Sequence, residues 1–274
     1  MTTNSLRAAR LVDAVEAAAF ADLYAAAAEP LARSLGLRAA QIVGATLLHA
    51  PRIPLAMFNR AIGLGVHRAL TEADLDAAIA SFRSAGYAGY WIHHNPIAAP
   101  ASLVEWLGAR GFVAAARRSW AKMLRGPEPI ADIDVDFEVR RAFAGEEEAI
   151  GEVVCSAFGM PKGFVPWMAA LVNRPRWRAY AALDAGKVVG AGFLHLDGTA
   201  AWLGIGGVLP EVRGRNAHRA LMALRIREAS AAGCTDIVTE TGDAVGDEPN
   251  PSLANMQFCG FRRVCSRLNF EAKA

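Results

Sequence analysis

Apolar positions along this chain switch between a helical period and a strand-like one, and the switches mark out an alternating series of elements. Residues 10–35 are alanine-rich and helical in pattern, with Pro30 interrupting them. QIVGATLLHA (41–50) and MFNRAIGLGV (57–66) are apolar runs that predict strands. TEADLDAAIASFRSAG (71–86) predicts a helix that opens at Thr71, with Asp74 three residues on as a capping-box variant, and closes at Gly86. A strand over 87–95, a short helix over 102–112 ending in Gly-Phe, and a strand over 113–124 follow. GPEPIADIDVD (126–136), with two prolines and four acidic residues, breaks the pattern and predicts a linker. Beyond it come a strand over 137–142, a helix over 145–158, three strands within 177–208, a loop and a helix up to Gly233. The series closes with a strand over 235–242, a helix over 252–261 and a strand over 262–272.

The order on the two sides of the linker is the same. GLGV at 63–66 matches IGGV at 205–208, Gly86 faces Gly233 at 147 positions' distance, and Gly111 of the first Gly-Phe faces Gly260 of the second at 149. Three short matches in one order at nearly one offset favour a duplicated unit over chance likeness between α/β stretches. The match fails in one place. Gly86 lies 20 positions after Val66, whereas Gly233 lies 25 after Val208: the first half has HRALTEAD where the second has LPEVRGRNAHRAL, which carries the Arg-Gly-Arg loop.

That stretch carries the chemistry. A glycine-containing loop between a strand and a helix N-terminus leaves backbone N–H groups free and adds the positive end of the helix dipole, which suits a phosphate. Arg213, Arg215, His218 and Arg219 can add charge-assisted contacts, and Gly214 removes a Cβ where a ligand approaches. The order V-x-P-x-x-R-G-R-N-A-H-R-A-L after an apolar strand resembles the acetyl-CoA-binding motif of the GNAT N-acetyltransferase superfamily. The likeness continues through TDIVTETG and NPSLANMQFCGFRR and covers 135–274. It implies an α/β (α+β) protein of two GNAT-like domains, each a mixed central sheet flanked by helices. Residues 1–128 would be a degenerate copy without the loop, and 134–274 the working one.

The same resemblance implies that the backbone of Ile205, Gly206, Gly207 and Val208 pairs with the pantetheine arm of acetyl-CoA or another acyl-CoA. The N–H groups of Arg213, Gly214, Arg215, Asn216, Ala217, His218 and Arg219 would then hold the pyrophosphate, with Asn250 and Ser252 beside the cofactor or serving only as turn and N-cap. Asn216 and His218 stand where the family pattern has small residues. Asn tolerates left-handed backbone; the imidazole of His218 either reaches a phosphate or points to solvent. The family's tyrosine acid on the fourth helix corresponds to Met256, which has no proton to give, so the acid is unassigned. Glu240 and His195 are the base candidates, against a strand-end ion pair and a hydrogen-bonded or surface histidine. Adjacent strand residues His93 and His94 point to opposite faces and make no metal site. The aromatic stretch Phe158 to Tyr180, including PKGFVPWMAAL, reads either as an acceptor wall or as a helix packed on the core.

Composition narrows the classes. With 29 basic and 27 acidic side chains the net charge is +2, so no polyanion surface is expected, neither nucleic acid nor charged tRNA as partner. No run of about 18 apolar residues lacks charge, and no signal pattern opens the chain, so a soluble cytoplasmic protein is expected, with a homodimer left open. Cys155, Cys234, Cys259 and Cys265 have no metal-ligand spacing and are expected as buried free thiols. The expectation is acyl transfer from acyl-CoA to a primary amine of a small molecule or peptide, without metal. The rival is a non-catalytic CoA-binding sensor or scaffold.

Overall fold

The computed structural model describes residues 2–86 and 89–272, with backbone alone at 116–118. Helix α1 (Thr3–Ala26) is capped by the Thr2 hydroxyl on the Ser5 N–H, and α2 (Glu29–Leu35) takes Pro30 in its first turn, where a missing N–H is harmless. Strands β1 (Arg38–Ile42) and β2 (Ala45–His49) divide the apolar run expected as one strand. Val43 and Gly44 both have positive φ, 49° and 80°, and make a two-residue hairpin turn that a valine disguises. Strand β3 (Arg60–Ile62) is shorter than the run 57–66, because Gly63 and Gly65 take positive φ and end it.

Helix α3 (Glu72–Ser84) carries both bonds of the capping box, Thr71 with Asp74. Of the strand expected over 87–95, Tyr87 and Ala88 lie outside the described residues, and β4 spans Trp91–His94. Next come α4 (Leu103–Ala109), β5 (Phe112–Arg125), an irregular stretch over 126–136, β6 (Glu138–Arg141) and α5 (Glu147–Ala157). A short α6 (Val165–Ala169) occupies the aromatic stretch. Trp167 is fully buried there and donates from Nε1 to the Leu23 carbonyl of α1 at 2.7 Å, so Phe164, Trp167, Trp177 and Tyr180 pack on the core while Phe158 stays half-exposed. Strands β7 (Trp177–Asp184), β8 (Lys187–Asp197) and β9 (Ala200–Val208) lead to α7 (Ala217–Ala231). Then β10 (Asp236–Gly242), α8 (Pro251–Phe258) and β11 (Arg262–Ala272) complete the series.

All eleven strands form one mixed sheet in the order β1-β2-β3-β4-β11-β5-β10-β9-β8-β7-β6. Only β3–β4 and β9–β10 pair in parallel among the described strands. The last strand of each half lies against the other half: β11 pairs with β4, and β5 pairs with β10, while β5 and β11 pair with each other at the centre. One face of the sheet is covered by α1, α5 and α6 over a core that runs through both halves, from Leu48 and Ile62 to Trp177 and Trp202. On the opposite face α3 and α4 cover the first half, and α7 and α8 the second.

Where α1 crosses the central strands, the interface is charged. Glu16 is fully buried and takes Lys122 Nζ of β5 at 2.7 Å and a bidentate contact from Arg267 of β11. Arg60 of β3 stands 3.7 Å away, and Asp13 accepts from Arg267 at 2.9 Å. Burial opposes the charge on Glu16, but Arg267 and then Lys122 outweigh it and hold the carboxyl well below its ordinary range. All four cysteines are free and buried, and among the described residues no helix is long and apolar enough to cross a membrane.

Replacing Glu16 by leucine leaves three buried cations with Asp13 and Glu240 as their carboxylates, and urea unfolding should show a loss of about 3–5 kcal/mol. Acid should weaken the fold before carboxylates titrate. Burial lowers the imidazole pKa of His49, His93, His94, His195 and His218, five of the six histidines, to about 4 at His49, His195 and His218. Unfolded imidazoles titrate near about 6.5, so below that pH the unfolded chain binds protons the folded chain refuses. The urea midpoint should therefore fall steadily from pH 6.5 to 4.5; a flat profile over that window would refute the assignment.

Candidate functional site

Strands β9 and β10 part midway along their length. They pair in parallel from Ala200 and Asp236 to Leu203 and Thr239, where the Thr239 hydroxyl donates to the Leu203 carbonyl at 2.7 Å. Strand β10 then continues against β5, with Glu240 opposite Lys122, and β9 continues against β8 as far as Val208. Among the described residues, the edge of Gly204–Val208 that would face β10 has no strand beside it. A bulge deepens the opening, because Gly192 of β8 stands opposite both Ile205 and Gly206. Ile205 has φ of 48°, a conformation a β-branched residue adopts only when its surroundings impose it.

Arg225 of α7 supplies much of that constraint. Its Nε donates to the Leu221 carbonyl at 3.1 Å, and its Nη1 to the carbonyls of Phe193 and Gly204 at 3.1 and 3.2 Å. A Cβ at Gly192 would come within 2.8 Å of the guanidinium carbon, and one at Gly206 within 2.9 Å of Nη2, so a side chain at either position would have to displace the guanidinium. On the other face a Cβ at Gly207 would meet Ala157 at 2.6 Å and the half-exposed ring of Phe158 at 3.3 Å.

From Val208 the chain passes Pro210 into the Arg-Gly-Arg loop. Gly214 and Asn216 adopt left-handed backbone, φ 81° and 61°, and Asn216 precedes α7 without capping it through its side chain. The N–H groups of residues 214–219 have no hydrogen-bond acceptor among the described residues; the helical ladder begins with Ala220 N–H on the Asn216 carbonyl at 3.0 Å. Six successive free donors at a helix N-terminus can hold an anion of phosphate size.

The side chains around this corner divide by role. Arg213 is exposed and makes no ion pair among the described residues. Arg215 is drawn to Asp184 at 3.0 Å and stacks on Phe137, and Arg219 donates to Asn255 Oδ1 at 2.7 Å over the ring of Phe258. His218 turns inward, neither to solvent nor along the loop. Its Nδ1 lies 3.2 Å from Asn255 Nδ2, and burial, then the charge of Arg225, lowers its pKa to about 4 while the Gly206 backbone opposes the shift. The imidazole is thus neutral at pH 7. Asn250 caps α8, accepting from Leu253 N–H at 3.0 Å and donating to the Gly242 carbonyl at 2.8 Å; Ser252 is half-buried beside it. Met256 is buried.

The two base candidates lie on the α1 side of the sheet, flanking Trp202. Glu240 accepts from Trp202 Nε1 at 2.9 Å and from Lys122 at 3.1 Å. His195 is fully buried opposite Trp202 in the β8–β9 ladder, against the Trp177 ring, and neither ring nitrogen has a partner among the described residues. Burial, then Arg176, lowers its pKa to about 4. Sequence reasoning did not single out Asn255 or Arg225. An isolated asparagine beside buried Leu253 and Met256, and an arginine on the otherwise apolar buried face of α7, were the signals available.

The corresponding place in the first half is filled by the chain itself. The Gly65 carbonyl accepts from Ala99 N–H at 2.9 Å, and the Ala99 carbonyl from Leu70 N–H at 2.9 Å. A Cβ at Gly65 would lie 2.8 Å from the Ala99 oxygen. Among the described residues no group of three or more His, Cys, Asp or Glu side chains is arranged to hold a metal ion.

No protein-family model matches the sequence, and no curated protein matches it in a sequence comparison. Solved structures do resemble it. A GCN5-related N-acetyltransferase from Kribbella flavida superposes with a TM-score of 0.60 at 16% identity, over 93% of this chain and 95% of that one. One from Sphaerobacter thermophilus gives 0.60 at 18% identity, over 89% and 84%. A tandem GNAT protein from the clavulanic acid biosynthesis pathway gives 0.55 at 15% identity, over 82% and 77%. Over nearly its whole length, therefore, the chain has the fold of the GCN5-related N-acetyltransferases, including that of a tandem GNAT protein.

Proposed function

We propose that residues 134–274 form an acyl-CoA-dependent N-acyltransferase unit and that 1–128 is a diverged copy serving as its structural partner. The acyl group, acetyl in the simplest case, passes directly to a primary amine of a small molecule or peptide. One observation carries the reading: the strandless edge of Gly204–Val208 leads straight into six free N–H donors. An extended pantetheine arm adds to that edge as a strand would, through Ile205, Gly206, Gly207 and Val208. The pyrophosphate takes the N–H groups of Gly214 to Arg219, the Arg213 N–H being bonded to the Pro210 carbonyl, with the Arg213 side chain free to close over it and Ser252 alongside. Asn250 shapes the start of α8.

In this reading the acceptor arrives from the Phe158 side, opposite α7 and α8. A backbone N–H at Ile205 or Gly206 polarises the thioester carbonyl as negative charge develops on its oxygen. Glu240, bonded to Trp202 and Lys122, acts as an ion-pair anchor, and His195 as a core residue; the amine attacks in its neutral form. A non-catalytic CoA-binding protein is the second reading, favoured by Met256, which is buried and offers no acidic proton.

Calorimetry with acetyl-CoA separates these from failure. The wild type should bind. Arg213→Ala should weaken binding about tenfold by removing one charged contact, without lowering the melting temperature. Gly214→Trp, forcing a large side chain onto a residue at φ 81°, should abolish binding. No binding by the wild type would end both readings. Thiol release from acetyl-CoA with a panel of amines then tells an enzyme from a sensor.

A further inference from the structure

Among the described residues, most of the buried arginines face a carboxylate. Arg60 and Arg267 face Glu16, and Arg125 has Glu128 nearby. Arg225 does not. It is 2% exposed and has no carboxylate within salt-bridge distance among the described residues. Its hydrogen bonds go to three neutral carbonyls, and Nη2 makes none among the described residues; it lies where a side chain on Gly206, at the strandless edge of β9, would stand.

The groups facing it supply no full negative charge. From β7 comes Tyr180, its hydroxyl 3.3 Å from Glu228, which is itself paired to Arg178. From the end of α8 comes Cys259, a thiol kept protonated by burial; from α7 itself comes neutral His218. Strands β8 and β9 present backbone, Phe193 and glycines. Burial lowers the Arg225 pKa to about 10, so the guanidinium stays charged at neutral pH. A cation held this way is costly until an anion joins it.

We propose that Arg225 is the counter-ion of the gap and stabilises the sulfur of CoA as a thiolate. This rests on the acyl-CoA reading above and gives that reaction its leaving-group chemistry. The amine nitrogen attacks the thioester carbon and a C–N bond forms. The C–S bond breaks, its electron pair stays on sulfur, and the proton shed by the attacking nitrogen goes to water. Arg225 keeps its own proton throughout, so the step needs no side-chain acid and tolerates methionine at 256.

The test compares CoA with desulfo-CoA, which lacks only the sulfur, by calorimetry from pH 6 to pH 9. In the wild type CoA should bind about tenfold more tightly than desulfo-CoA at pH 7, with the ratio rising with pH up to the ordinary thiol pKa of about 8.5 and levelling off above it. Arg225→Met should bring the ratio to about one at pH 7 while retaining desulfo-CoA affinity, and Arg225→Lys should restore part of it. A wild-type ratio of one throughout, or one that rises only around the ordinary thiol pKa, overturns the proposal without touching the acyl-CoA reading. If neither ligand binds, both fall together. The wild-type titration alone decides the matter should Arg225→Met fail to fold.

Discussion

The central pairing of β5 with β11 can exist only if both halves are present, because each strand is also the outer partner of the opposite half. A sheet formed from one half alone would end in an open edge at β4 or β10. Helix α1 secures the same seam from above. Glu16 sits over three cations contributed by β3, β5 and β11, and the core beneath α1 continues from Leu48 to Trp202 without a break. Position and charge thus tie the first half to the second, and the gap between β9 and β10 depends on that tie. Glu240, just past the parting point, is held by Lys122 from the exchanged strand.

The halves have used one framework in opposite ways. In each, a parallel pair of strands diverges after a short register. In the second half the divergence stays open, propped by a bulge and by Arg225 under two glycines. In the first, the segment before Pro100 turns back onto Gly65 and satisfies the same backbone edge from within. The two arrangements solve one problem, an exposed edge of peptide groups, with different partners.

Much of this was legible in the sequence because local signals were strong. The capping box at Thr71, the three strands within 177–208 and the repeated Gly-Phe all report contacts close in sequence. The hairpin at Val43–Gly44 was hidden because valine seldom takes left-handed backbone, so composition argued against a turn there. The strand exchange was hidden for a different reason. A strand's pattern records that both faces are buried but not which neighbours bury them. At the site, the loop and its glycines could be read directly. The inward turn of His218, its bond to Asn255 and the lone charge of Arg225 could not, since each is set by groups on other elements.

The exchange of closing strands also governs the order in which the chain can mature. Residues 91–94 and 112–125 emerge during synthesis long before 262–272, the strand that fills the space between them. The first half must therefore wait with two unpaired edges until the second is nearly complete. Domain-by-domain folding, the usual protection of long chains against aggregation, is closed to this one. Its two units share a single folding event, and a chaperone would meet them as one client.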